Sequence, residues 1–262
     1  MPPVTTGGAV RTDGAAPGVG ERLGLGVPDC AHPLLAPREW AALARTGPVG
    51  DGCGPPSPLH WTVLNVAGGP GARPDPYCAP AATALRGAGV TLLGRLDMRD
   101  GVRTFGELIR EARRYLDWYR VDGFYLANCP SGPGNLPHAH RVTATLHALT
   151  GGGQLVLAHT RHPHPGFAEC PAQLVTFAGS WADYRWSQAE PWTADLPAGR
   201  FCHQVHALPR THLEEALRIA RWQGAGTVCF TDRRESPGQD PWETLPGYWD
   251  EIVSRLGPGV SE

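Results

Sequence analysis

VTLLGRLDMRDGVRTFGELIREARRYLDWYRVDGFYLANC, residues 90–129, reads as strand, helix, strand. Val90 to Leu96 and Gly123 to Ala127 are short, continuous apolar segments, the pattern of strands covered on both faces. Between them Thr104-x-x-Glu107 forms a capping box. Phe105, Leu108, Ile109, Ala112, Leu116 and Tyr119 then recur at helical spacing. A helix joining two doubly covered strands is the crossover of a parallel sheet.

The same rhythm extends in both directions. Further strand candidates are Leu23 to Val27, Trp61 to Val66, Gln154 to Ala158, Gln173 to Phe177, Phe201 to Ala207 and Thr227 to Thr231. Thr211-x-x-Glu214 repeats the capping box, with Leu213, Ala216, Leu217 and Ala220 on one face and Gly224 as the stop. Other helical patterns cover His138 to Leu149, Glu39 to Ala44, Ala79 to Gly87 and Tyr248 to Leu256. Eight strands alternating with helices predict an α/β fold, a single (β/α)8 TIM-type barrel over residues 21–262. The connection 181–198 is aromatic and interrupted by proline. Residues 1–20, rich in Gly, Pro, Thr and Ala, read as a disordered N-terminal tail.

Composition narrows the function. The net charge is −2, so no basic field would hold a phosphate backbone, and nucleic acid is not expected as a partner. The chain has no lysine, which excludes Schiff-base chemistry and a P-loop. Seven cysteines lie scattered without a Cys-x-x-Cys pair, as in a protein of a reducing compartment. No export signal and no long apolar run is evident, so the expectation is a cytoplasmic protein without a membrane partner.

In such a barrel, chemistry sits at the carboxyl ends of the strands. Those ends carry Asp29, Asn65, Asp97, Asn128, His159, Trp181, His206 and Asp232, with Arg95 just before Asp97. Asp97, Asn128, His159 and Asp232 are the candidate catalytic set. Asp29, Asn65, Arg95, Trp181 and His206 are the candidate substrate-binding set. Each Asp has a second reading, as a loop or helix cap or as the partner of a nearby Arg such as Arg95 or Arg233. Cys129 is placed where a nucleophile with His159 as base would stand, but nothing in the sequence forecasts a lowered thiol pKa, and it reads as a small buried residue. The histidines at 138, 140, 159, 162 and 164 have loose spacing, the first pair at a helix start, His159 at a strand end and the last two in a proline-rich loop, so neither a metal nor a cofactor is assigned. Gly68 to Gly71 could meet phosphate or form a tight turn. Trp181, Tyr184, Trp186 and Trp192 could stack on a sugar or roof the core.

LNVAGGPGARPDP (64–76), RGAGVTLLGRLDMRDG (86–101), YLDWYRVDGFYLANC (115–129), VTFAGSWADY (175–184), LPAGRFCHQVHA (196–207) and the run from GAGTVCFTD to DPWETLPGYW (224–249) resemble the spherulin-4 family, spherulation-specific family 4. The likeness implies a TIM-type barrel related to glycoside hydrolases and endo-hydrolysis of galactosamine-containing polysaccharide. It also implies an adjacent Asp-Glu pair ending the fourth strand and a Glu after the Thr-Phe of the sixth. Here these positions read Ala127, Asn128 and Ala178. Glycoside cleavage needs a carboxyl to protonate the leaving oxygen and a second group as base or nucleophile. The expectation is therefore a glycosidase-like barrel redirected to acid–base chemistry on a small polar metabolite. The alternatives are a non-catalytic carbohydrate- or metabolite-binding protein and a hydrolase with relocated carboxylates.

Overall fold

The structure, a computed structural model, describes residues 22–48 and 57–257, so the expected N-terminal tail lies outside the described residues. The strands are β1 Gly24–Val27, β2 Leu59–Leu64, β3 Leu92–Asp97, β4 Gly123–Cys129, β5 Leu155–His159, β6 Gln173–Ser180, β7 Phe201–His206 and β8 Thr227–Phe230. Each pairs in parallel with the next, and β1 pairs with β8 to close the barrel. Around it run α1 Pro37–Arg45, α2 Cys78–Gly87, α3 Phe105–Tyr119, α4 Leu136–Leu149, α5 Trp181–Tyr184, α6 Leu213–Trp222 and α7 Trp249–Leu256. The predicted (β/α)8 architecture is the observed one.

Two apolar layers hold the fold. Trp61, Val63, Leu93, Tyr125, Val156, Val175, Cys202 and Cys229 fill the barrel interior. Their neighbours in the strands, such as Leu64, Leu92, Phe124, Leu155 and Leu157, pack outward with the helices. Gly26 has no side chain because the Trp61 indole occupies its place: an added Cβ would lie 2.5 Å from the ring. At the base, Trp61 Nε1 donates to Gln173 Oε1 at 3.0 Å, and Gln173 Nε2 donates to Thr227 Oγ1 at 2.9 Å.

α3 begins with the predicted capping box, Glu107 N donating to Thr104 Oγ1 at 3.4 Å and Thr104 N to Glu107 Oε2 at 3.1 Å. α6 departs from its prediction. A 3₁₀ turn over Arg210–His212 consumes Thr211, and Glu214 becomes the second helical residue. Glu214 then pairs with Arg255 of α7, while Glu215 accepts from His212 Nδ1 at 3.0 Å. The 181–198 connection holds only α5 and a 3₁₀ turn at Pro191–Asp195.

Candidate functional site

At the carboxyl ends of the strands opens a cleft of 710 Å³, within the range of small-molecule sites. Its floor carries two fixed polar pairs. Arg95 Nη1 meets Asp29 Oδ2 at 2.5 Å, and the same oxygen accepts from Asn65 Nδ2 at 2.9 Å while Oδ1 accepts from Cys30 N at 2.8 Å. Beside it, Gln204 Nε2 donates to the Tyr125 hydroxyl at 2.8 Å. Burial holds the Asp29 carboxyl above its ordinary range, against the pull of Arg95 and Asn65, and Asp240 adds repulsion in the same direction.

Ala127, Asn128, Ala158, Ala178 and Gly179 form low walls. Asn128 stands in the left-handed region at φ 50°, which Asn tolerates and which turns its amide out of the strand register, to donate to Asp97 Oδ1 at 3.0 Å. The segment after β8 supplies the remaining wall, with Glu235, Asp240, Trp242 and Glu243. Glu235 also reaches His206 Nε2 at 3.6 Å.

Of the candidate residues, Asp29, Arg95, Asn128, His159 and His206 border this cleft. Asn65 supports it from behind through Asp29. Asp97, Asp232 and Trp181 do not border it. Asp97 accepts from Arg99 N at 2.9 Å as well as from Asn128, so it caps the turn after β3. Asp232 accepts from Gly247 N at 3.2 Å and lies 3.8 Å from Arg233, holding the approach to α7. Trp181 packs on Tyr184 and His212 in the outer layer, Trp192 packs on Phe201, and Trp186 is exposed.

His159 borders the cleft at a strand end, yet β5 alternates. Val156 and Ala158 join the interior cluster, and Leu155 and Leu157 join the outer one. The His159 ring falls on the outer side, its Nδ1 donating to Pro130 O at 3.0 Å and its edge against Phe167. Burial lowers its pKa to about 4, so the ring is neutral near pH 7. Cys129 is fully buried and burial pushes its thiol far up, the opposite of what a nucleophile needs. The Gly68 to Gly71 segment is a tight turn closed by Val66 N and Ala67 N on Gly69 O. The histidines at 138, 140, 159, 162 and 164 do not form a three-ligand cluster among the described residues.

Sequence patterning did not single out Tyr125, Gln204 and the 235–243 wall as site residues. Tyr125 and Gln204 were legible as inward positions of β4 and β7, two residues from each strand's last inward position. The loop offers only its acidic residues and Trp242. No helix among the described residues is long and apolar enough to cross a membrane.

A family model described as spherulation-specific family 4 matches residues 32–256. The fold is similar to that of Aspergillus clavatus Sph3, whose structure was solved in complex with GalNAc: 20% identity and a TM-score of 0.74, over 90% of this chain and 98% of that one. Phosphoribosyl anthranilate isomerase from Thermus thermophilus aligns at 16% identity and a TM-score of 0.45, over 89% of this chain and 100% of that one. No curated protein sequence matches the chain.

Proposed function

Since the chain belongs to spherulation-specific family 4, we propose that it is a saccharide-binding barrel that keeps the family's cleft and has given up its hydrolytic carboxylates. One observation carries this reading: Ala127, Asn128 and Ala178, the positions at which the family pattern calls for acids, all border the cleft. Ala has no proton to give, and an Asn amide can only orient a ligand. The cleft's own strand-end carboxylate, Asp29, is engaged by Arg95, Asn65 and Cys30 N. An engaged carboxylate still accepts ligand hydroxyls, as do the Tyr125 and Gln204 pair and Asn128. Trp242 supplies an apolar face of the kind that packs on a sugar ring. The GalNAc bound to Sph3 makes an amino sugar the first ligand to try. The cytoplasm is the proposed compartment, supported by free thiols at all six described cysteines.

Isothermal titration with N-acetylgalactosamine and a galactosamine oligosaccharide tests the reading. Ala178 is exposed in the cleft, so Ala178→Trp fills the space without disturbing the core. Saturable binding by the native protein and its loss in Ala178→Trp are expected. Absence of binding by the native protein, or equal binding by the variant, contradicts the proposal.

A second reading, acid–base chemistry on a small polar metabolite, is favoured by the raised pKa of Asp29 and the proximity of Asp240. It requires turnover that Asp240→Asn abolishes.

A further inference from the structure

Outside the cleft, three residues of different chemistry converge on the same face of the barrel. His32 follows β1, Asp75 lies in the loop after β2, and Cys78 opens α2. Their ligand atoms all lie within 4.8 Å of one another, with His32 Nε2 3.2 Å from Asp75 Oδ1. Ligands of one tetrahedral ion, at bond lengths of about 2.0–2.3 Å, stand roughly 3.3–3.8 Å apart, so small side-chain adjustments suffice. The Cys78 thiol is fully buried, whereas the His32 and Asp75 side chains are each 23% exposed. The group thus has a soft donor on its buried side and two donors reachable from solvent.

The surroundings hold these donors in place. Asp75 Oδ1 accepts from Tyr77 N at 2.8 Å and Cys78 N at 2.9 Å. Asp75 N donates to the Tyr119 hydroxyl at 2.9 Å, which in turn donates to Pro70 O at 3.1 Å. The His32 ring lies edge-on to Tyr77. Such outer partners orient ligands before an ion arrives.

We propose that His32, Asp75 and Cys78 form a binding site for a divalent ion of the zinc class, with the fourth position taken by water. A thiolate with an imidazole selects zinc over calcium or magnesium, which prefer all-oxygen sets. The Cys78 thiol releases its proton to solvent. With the ion bound, the His32 ring carries its proton on Nδ1 and leaves the Nε2 lone pair for the ion. In the ion-free protein Nδ1 accepts from Leu34 N at 3.3 Å; once protonated it no longer accepts, and that N–H turns to the water around the exposed Leu34. The ion would tie the loops after β1 and β2 together. None of the three residues borders the saccharide cleft, so this site stands or falls independently of that reading.

The test uses full-length protein treated with a chelator and titrated with Co²⁺, then with Zn²⁺. The expected result is one equivalent of Co²⁺ giving a thiolate charge-transfer band that Zn²⁺ abolishes, with a Zn²⁺-dependent rise in Tm. Cys78→Ser should lose the band. His32→Gln, at a partly exposed position, should weaken binding by at least about tenfold. No band in the native protein, a band that persists in Cys78→Ser, or unchanged affinity in His32→Gln overturns the proposal.

Discussion

On β5, Val156 and Ala158 face the barrel interior while Leu155, Leu157 and His159 face outward, and this parity decides what His159 does. Its ring is a buried packing group whose pKa falls to about 4, and His203 behind β7, bonded to the Tyr184 hydroxyl, falls to about 3. Both folded values lie below the ordinary 6.5. In the window between, the unfolded chain binds protons that the folded chain refuses, so stability present above about pH 6.5 is lost as pH falls toward 4. Each tenfold difference in proton affinity between the folded and unfolded chain is worth about 1.4 kcal/mol at most. Urea denaturation between pH 7 and 4.5 should show a continuous decline, flatter in His159→Gln. A flat native profile, or an unchanged slope in the variant, would refute the assignment. A strand end marks a position and not a side-chain direction: Asp97 and Asp232 also sit at strand ends, yet the N–H groups of Arg99 and Gly247 engage their carboxylates away from the cleft.

At the scale of elements, the β3–α3–β4 unit rests on one close approach. An added Cβ at Gly94 would lie 2.7 Å from the Tyr115 ring, which is fully buried and donates its hydroxyl to Leu64 O at 3.0 Å. Gly94→Ala should therefore cost about 1–3 kcal/mol by overpacking. Gly106, in the first turn of α3, has nothing within 4 Å of an added Cβ, and Gly106→Ala should stabilise by up to about 1 kcal/mol. Thermal unfolding of both variants checks the pair, and equal Tm values would contradict this packing account. This unit was legible in sequence because capping box, apolar stripe and strand runs all agree. α6 was less so, because a 3₁₀ turn after Pro209 shifts the helix start, and a Thr-x-x-Glu pattern does not register the pull of Arg255 on Glu214. The wall at 235–243 has no periodicity at all, and only closure of the barrel brings its acids to the cleft.

For the whole molecule, eight doubly covered strands already specify a closed barrel, and the dispersed family motifs place Ala127, Asn128 and Ala178 at its mouth from the amino-acid order alone. The floor was harder to read. Arg95 was legible as a partner for a strand-end Asp, but that the Asp is Asp29, and that Tyr125 meets Gln204, depends on strands far apart in sequence meeting inside one barrel. The proposed function requires a cleft that holds a saccharide and leaves it intact. Saturation-transfer NMR of a galactosamine-containing oligosaccharide with the native protein addresses both halves in one sample. Transfer to the sugar protons with no new reducing-end anomeric signals over time is expected; growth of those signals, or no transfer at all, would contradict the proposed function.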